Sequence, residues 1–85
     1  MESEEEPLAA RVETILAQVL GVAESTLEDL SGPAQVPAWD SLAQLDIVVS
    51  IEAEYKVRFA PEEIPELLSV ESLKRALRAK GADPG

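Results

Sequence analysis

The chain has 85 residues, with 17 acidic side chains against seven basic ones and a formal net charge of −10. One domain of this size lies close to the ~70–80 residues below which a single core becomes marginal, and its charge repels nucleic acid and anionic membranes, so its partners are expected to be basic. Cysteine and histidine are both absent, which excludes disulfides, thiolate or imidazole metal sites and a Ser-His-Asp relay.

The N-terminus "MESEEE" is acidic and the apolar runs are short. Neither a signal peptide nor a membrane span is visible, and a cytoplasmic monomer is expected. The organisation expected is an acidic segment over 1–7 leading into the first helix, a domain over 8–80 and a flexible tail over 81–85.

The first helix is predicted over residues 4–20. Leu8, Val12, Ile15, Leu16, Val19 and Leu20 recur at three- and four-residue spacing and fall within an arc of about 140° at helical pitch. Pro7 is tolerated in the first turn and Gly21 supplies a stop. Residues 22–38 read as a long loop, with Leu27 and Leu30 as expected anchors onto the core. A loop of that length in so small a domain is usually functional.

The second helix is predicted from about Ser41 to Tyr55 or Lys56. Its apolar residues Ile47, Ile51, Tyr55, Val48, Leu45, Val49 and Leu42 sweep an arc of about 220°, wider than one buried face needs. One reading buries the helix on two sides of a small bundle. The other leaves part of the arc at the surface, where Ser41, Val48, Leu45 and Glu52 share a face. Ser41-Leu42-Ala43-Gln44 fits an S-x-x-Q capping box, and Asp40 fits the cap equally well.

After this helix, "KVRFA" reads as a loop pinned by Val57 and Phe59, because it has no partner strand. Residues 61–67 allow only a short, irregular third helix, since Pro65 removes a hydrogen bond one turn after Pro61. The last helix is predicted from Ser69 as N-cap through Val70 to about Lys80, burying Val70, Leu73 and Leu77. Lys74, Arg75, Arg78 and Lys80 complement its dipole, and Gly81 ends it.

"DSL" at the mouth of the second helix, "IEAEY" at its end, then "VRF" and "PEEI" resemble the acyl carrier protein family over roughly residues 8–80. The resemblance implies an all-α four-helix bundle of acyl-carrier type, with three main helices, one short third helix and a long first loop. It implies that Ser41 carries a 4′-phosphopantetheine arm, attached from coenzyme A by a phosphopantetheinyl transferase, and that the arm carries acyl or polyketide-type intermediates as thioesters. The protein itself would be no enzyme.

The family's docking surface maps here onto Leu42, Leu45, Val48 and Val49 as apolar contacts. Asp40, Asp46 and Glu52 would be the charges read by basic patches on acyl-loading and acyl-transferring enzymes of fatty-acid or polyketide biosynthesis. "WDSL" is also similar to discrete carriers of specialised metabolism and to D-alanyl carrier proteins, so an aminoacyl carrier is an alternative; Trp39 reads as a core residue closing the loop. A further alternative is an unmodified acidic adaptor binding partners through the second helix.

Overall fold

The computed structural model describes residues 10–82. The expected acidic segment 1–7 and the tail beyond Ala82 lie outside them. Three α-helices, α1 (Val12–Leu20), α2 (Ser41–Tyr55) and α3 (Val70–Ala79), are joined by loops holding two 3₁₀ turns, Glu24–Thr26 and Ile64–Glu66. No strand occurs among the described residues, so the chain is all-α there.

Helix α1 begins at Val12; the part of its expected span over residues 4–9, Leu8 included, lies outside the described residues. Ala10 donates its N–H to Glu54 Oε2 at 2.7 Å and accepts the Tyr55 hydroxyl at 2.5 Å, while Arg11 is extended as the N-cap. Side chains from the end of α2 thus claim backbone groups that a longer helix would use. From Val12 onward the stripe is as expected, with Val12, Ile15, Leu16 and Leu20 buried. Gly21 ends the helix in the left-handed region at φ 70°, donating its N–H to the Ala17 carbonyl.

Helix α1 packs against both α2 and α3. Val12 and Leu16 meet Ile47 and Ile51 of α2 and Val70, Leu73 and Leu77 of α3 in one fully buried cluster. Each such side chain contributes about 1.5–3 kcal/mol by leaving water. Ser69 caps α3 reciprocally with Ser72, as its position in the sequence suggested. Lys74 bridges Glu13 of α1 at 2.5 Å and lies 3.7 Å from Asp29, which ties α3 to α1 and to the first loop.

That loop is anchored differently from expectation. Leu27 is buried, whereas Leu30 is 74% exposed. Backbone bonds take the place of the second apolar anchor: Val70 N–H donates to the Ser31 carbonyl and Glu71 N–H to the Asp29 carbonyl, and Ser31 is buried between them. Phe59 is buried and Val57 is half-buried, so "KVRFA" is the pinned loop its composition indicated. The segment after Pro61 forms one 3₁₀ turn and no longer helix.

Candidate functional site

The mouth of α2 is built from a tight turn. Trp39 and Asp40 donate their N–H groups to the Val36 and Ala38 carbonyls, which delivers Asp40 in an extended conformation as the N-cap. Asp40 Oδ1 accepts the Ala43 N–H at 2.9 Å, and the Asp40 carbonyl accepts the Gln44 N–H at 2.8 Å. Of the two capping arrangements open in the sequence, the structure uses Asp40. Ser41 is therefore the first helical residue. It is exposed, and its hydroxyl bonds to none of the described residues.

The S-x-x-Q box does not form because Gln44 is turned inward. Its side chain is 8% exposed. Gln44 Oε1 accepts the Trp39 indole N–H at 2.6 Å, while Nε2 donates to the Ile64 and Leu67 carbonyls at 3.0 Å each. One amide thus joins the end of the first loop, the start of α2 and the second 3₁₀ turn. Trp39, 2% exposed, is a core residue as expected. Sequence reasoning missed the role of Gln44; the available signal was an indole five residues upstream, which needs an acceptor when buried.

Beside Ser41 lies a cleft of about 420 Å³ lined by Pro33, Trp39, Asp40, Ser41, Gln44 and Leu68. The loop forms one wall and the connection into α3 forms the opposite one. They touch at Gly32, where a Cβ would stand 2.3 Å from the Leu68 carbonyl oxygen. Only glycine allows that approach.

The outer face of α2 carries Leu42, Leu45 and Val49, which are 75%, 54% and 63% exposed. Their spacing of three and four residues makes them one apolar strip. Asp46 is exposed next to it, and Asp40 and Ser41 stand at its N-terminal end. Val48 does not belong to this strip: it is 3% exposed and part of the core, which corrects its expected place on the surface. Glu52 is half-buried and accepts the Phe59 N–H at 2.8 Å. Its carboxylate pins the loop after α2, a structural task that its grouping with the docking acids did not anticipate.

No protein-family model matches the chain, and no curated protein matches its sequence.

Chemically, the mouth of α2 presents an unencumbered primary alcohol beside free backbone donors. The first four N–H groups of a helix lack intrahelical partners. The Asp40 N–H goes to the Ala38 carbonyl and the Ala43 N–H to Asp40 Oδ1, leaving the N–H groups of Ser41 and Leu42 at the positive end of the helix dipole. An anion joined to Ser41 Oγ would meet both. The chain has no histidine to act as a base on the hydroxyl proton.

Proposed function

We propose that this protein is an acyl carrier protein modified on Ser41 with 4′-phosphopantetheine, and that it has no catalytic activity of its own. The observation that carries the reading is the division of labour at α2: Asp40 takes the cap, which leaves the Ser41 hydroxyl exposed and uncommitted. The fit to the arm is supported by the free Ser41 and Leu42 N–H groups, which offer a phosphodiester two donors outside the low-dielectric core.

In this reading the arrangement is that of an acyl-carrier four-helix bundle, with the 3₁₀ turn Ile64–Glu66 standing where the short third helix belongs. A phosphopantetheinyl transferase supplies the base that accepts the Ser41 proton as Oγ bonds to the phosphorus. The adenosine-side phosphate of coenzyme A then departs as leaving group. Once bound, the arm supplies a terminal thiol that holds acyl cargo as a thioester. The protein's own residues provide the attachment point and the address.

That address is the strip of Leu42, Leu45 and Val49 with Asp40 and Asp46 beside it. Loading and transferring enzymes of fatty-acid, polyketide or aminoacyl pathways would meet it with apolar pockets rimmed by Arg and Lys. The charges speed encounter and set specificity more than they add affinity, and salt weakens them. Among the described residues no helix is long and apolar enough to cross a membrane, in keeping with a carrier that works in the cytoplasm.

The test is intact mass of the protein and of Ser41→Ala after incubation with coenzyme A, magnesium and a broad-specificity transferase. A gain of one phosphopantetheinyl group in the parent only is expected. No gain with several transferases would overturn the reading in favour of an unmodified adaptor using the same apolar strip.

A further inference from the structure

The mouth of α2 has two registers open to it, and only one of them leaves the Ser41 hydroxyl free. In the structure Asp40 is the extended N-cap and Ser41 is the first helical residue, its Oγ bonded to none of the described residues. A helix starting one residue later would make Ser41 the cap. Ser41 Oγ would then accept the Gln44 N–H, and the Gln44 side chain would reach back to the Ser41 N–H, closing the S-x-x-Q box. That register spends both the hydroxyl and one of the two N–H groups that face an anion on Oγ. Aspartate and serine cap about equally well, so something other than cap chemistry decides between them.

We propose that Gln44 makes this decision and is a positioning residue for modification of Ser41: held inward, it keeps the box open and the hydroxyl available. The inference rests on the carrier reading and deepens it. Gln44 is 8% exposed. Its Oε1 accepts the Trp39 indole N–H at 2.6 Å, and its Nε2 donates to the Ile64 and Leu67 carbonyls at 3.0 Å each. The Ile64 carbonyl also holds the Leu67 N–H, so the groups most dependent on the amide are the indole and the Leu67 carbonyl. Swinging the side chain out to close the box would leave both unpaired in the core, a larger loss than a cap returns. Gln44 thus acts through the residue at which the helix starts, without touching Oγ.

Two substitutions separate this role from a merely structural one. Only an amide offers the indole an acceptor and the carbonyl a donor at once, so Gln44→Leu and Gln44→Glu both lose the network. They differ in what the new side chain does next. Leucine is apolar, stays inward and has no atom that could close the box. An ionised carboxylate cannot donate to the Leu67 carbonyl, is costly to bury, and once turned outward is the partner that an S-x-x-E box uses.

The experiment follows arm transfer to Ser41 by intact mass over time, with coenzyme A, magnesium and a broad-specificity transferase, for the parent and both variants. In the unmodified proteins, the ¹³Cα and ¹³Cβ shifts of residues 40 and 41 report which of the two is extended. Gln44→Leu is expected to keep Ser41 helical and a kcat/KM within about twofold of the parent, whereas Gln44→Glu should make Ser41 extended and lose about tenfold, as the free-hydroxyl register is depleted. Equal rates in the two variants, or a helical Ser41 in Gln44→Glu, overturn the proposal. If neither variant folds, the parent decides: its Gln44 side-chain amide protons should exchange slowly and show cross-relaxation to the Trp39 indole N–H, and their absence overturns it. A parent that takes up no arm overturns the carrier reading instead, while the shifts still test the register.

Discussion

Trp39 donates its indole N–H to the buried amide oxygen of Gln44 at 2.6 Å, and the same amide holds the Ile64 and Leu67 carbonyls. Replacing Gln44 with leucine keeps the volume and orphans the indole N–H and the Leu67 carbonyl, while the Ile64 carbonyl keeps the Leu67 N–H. At about 1–3 kcal/mol for each buried polar group left unpaired, with imperfect additivity, the loss is expected to be roughly 3 kcal/mol. That is a large share of the roughly 4–13 kcal/mol available to a chain of this size. Urea denaturation followed by the emission of the single tryptophan measures it, and a loss under about 1 kcal/mol would remove Gln44 from its central place.

The caps separate in the same assay. Because Asp40 Oδ1 takes the Ala43 N–H, Asp40→Ala is expected to cost about 0.5–2 kcal/mol. Ser41→Ala, which removes a hydroxyl bonded to none of the described residues, should stay within about 0.5 kcal/mol. Reversed magnitudes would restore the serine as the cap.

Neighbouring valines on α2 differ as sharply. Val48 is 3% exposed and Val49 is 63% exposed. Val48→Ala is expected to cost about 1.5–3 kcal/mol through lost burial, whereas Val49→Ala should change stability by no more than about 0.5 kcal/mol. Thermal denaturation of the two variants tests where the core stops on this helix.

Acid should act on the link between α1 and α3. Burial pushes the Glu13 carboxyl up, but the hydrogen bond from Lys74, its own backbone N–H and the charges of Lys74 and Arg11 together outweigh that and hold it below its ordinary value of 4.5. The folded protein therefore keeps this carboxylate ionised to lower pH than the unfolded chain does. The stability it contributes is present above pH 4.5 and is lost as pH falls through the lowered folded value. Glu63, held down by the Ala60 N–H and Lys80, acts in the same sense. Glu13→Gln is expected to cost about 1.5–3 kcal/mol at neutral pH, and its deficit against the parent should shrink on acidification. Denaturant midpoints across an acid series provide the check, and a deficit independent of pH would contradict the assignment.

How far the sequence could be read depended on what each residue competes with. Helices α2 and α3 were legible because their apolar spacing is long and regular, and the Ser69 cap because it has no rival beside it. At α2 two capping residues stand side by side, and the choice between them turns on where Gln44 points, which is set by Trp39 and by carbonyls more than twenty positions away in part. The same limit applies to Val48. Its angle on α2 lies near the middle of the apolar arc, between the buried Ile47 and Ile51 and the exposed Leu45, Val49 and Leu42, and only the packing of neighbouring segments decides that it is covered. Leu30 misled for a different reason: a loop has no periodicity, and backbone bonds to Val70 and Glu71 made an apolar anchor at that point unnecessary. The start of α1 was obscured by Glu54 and Tyr55, whose reach back to Ala10 leaves no trace in local spacing.

The contact of the first loop with the start of α3 has a consequence for the order in which the molecule matures. The backbone carbonyls of Ser31 and Asp29 take their donors from Val70 and Glu71, and Gly32 lies against the Leu68 carbonyl. Helix α2 and its serine can form from local sequence, yet the far wall of the cleft belongs to a segment made later in synthesis. Closing that long loop carries an entropy cost that the docked α3 offsets. On the ribosome, Ser41 would leave the exit tunnel as a bare helix end, and would acquire its surroundings only when the last helix emerges and docks.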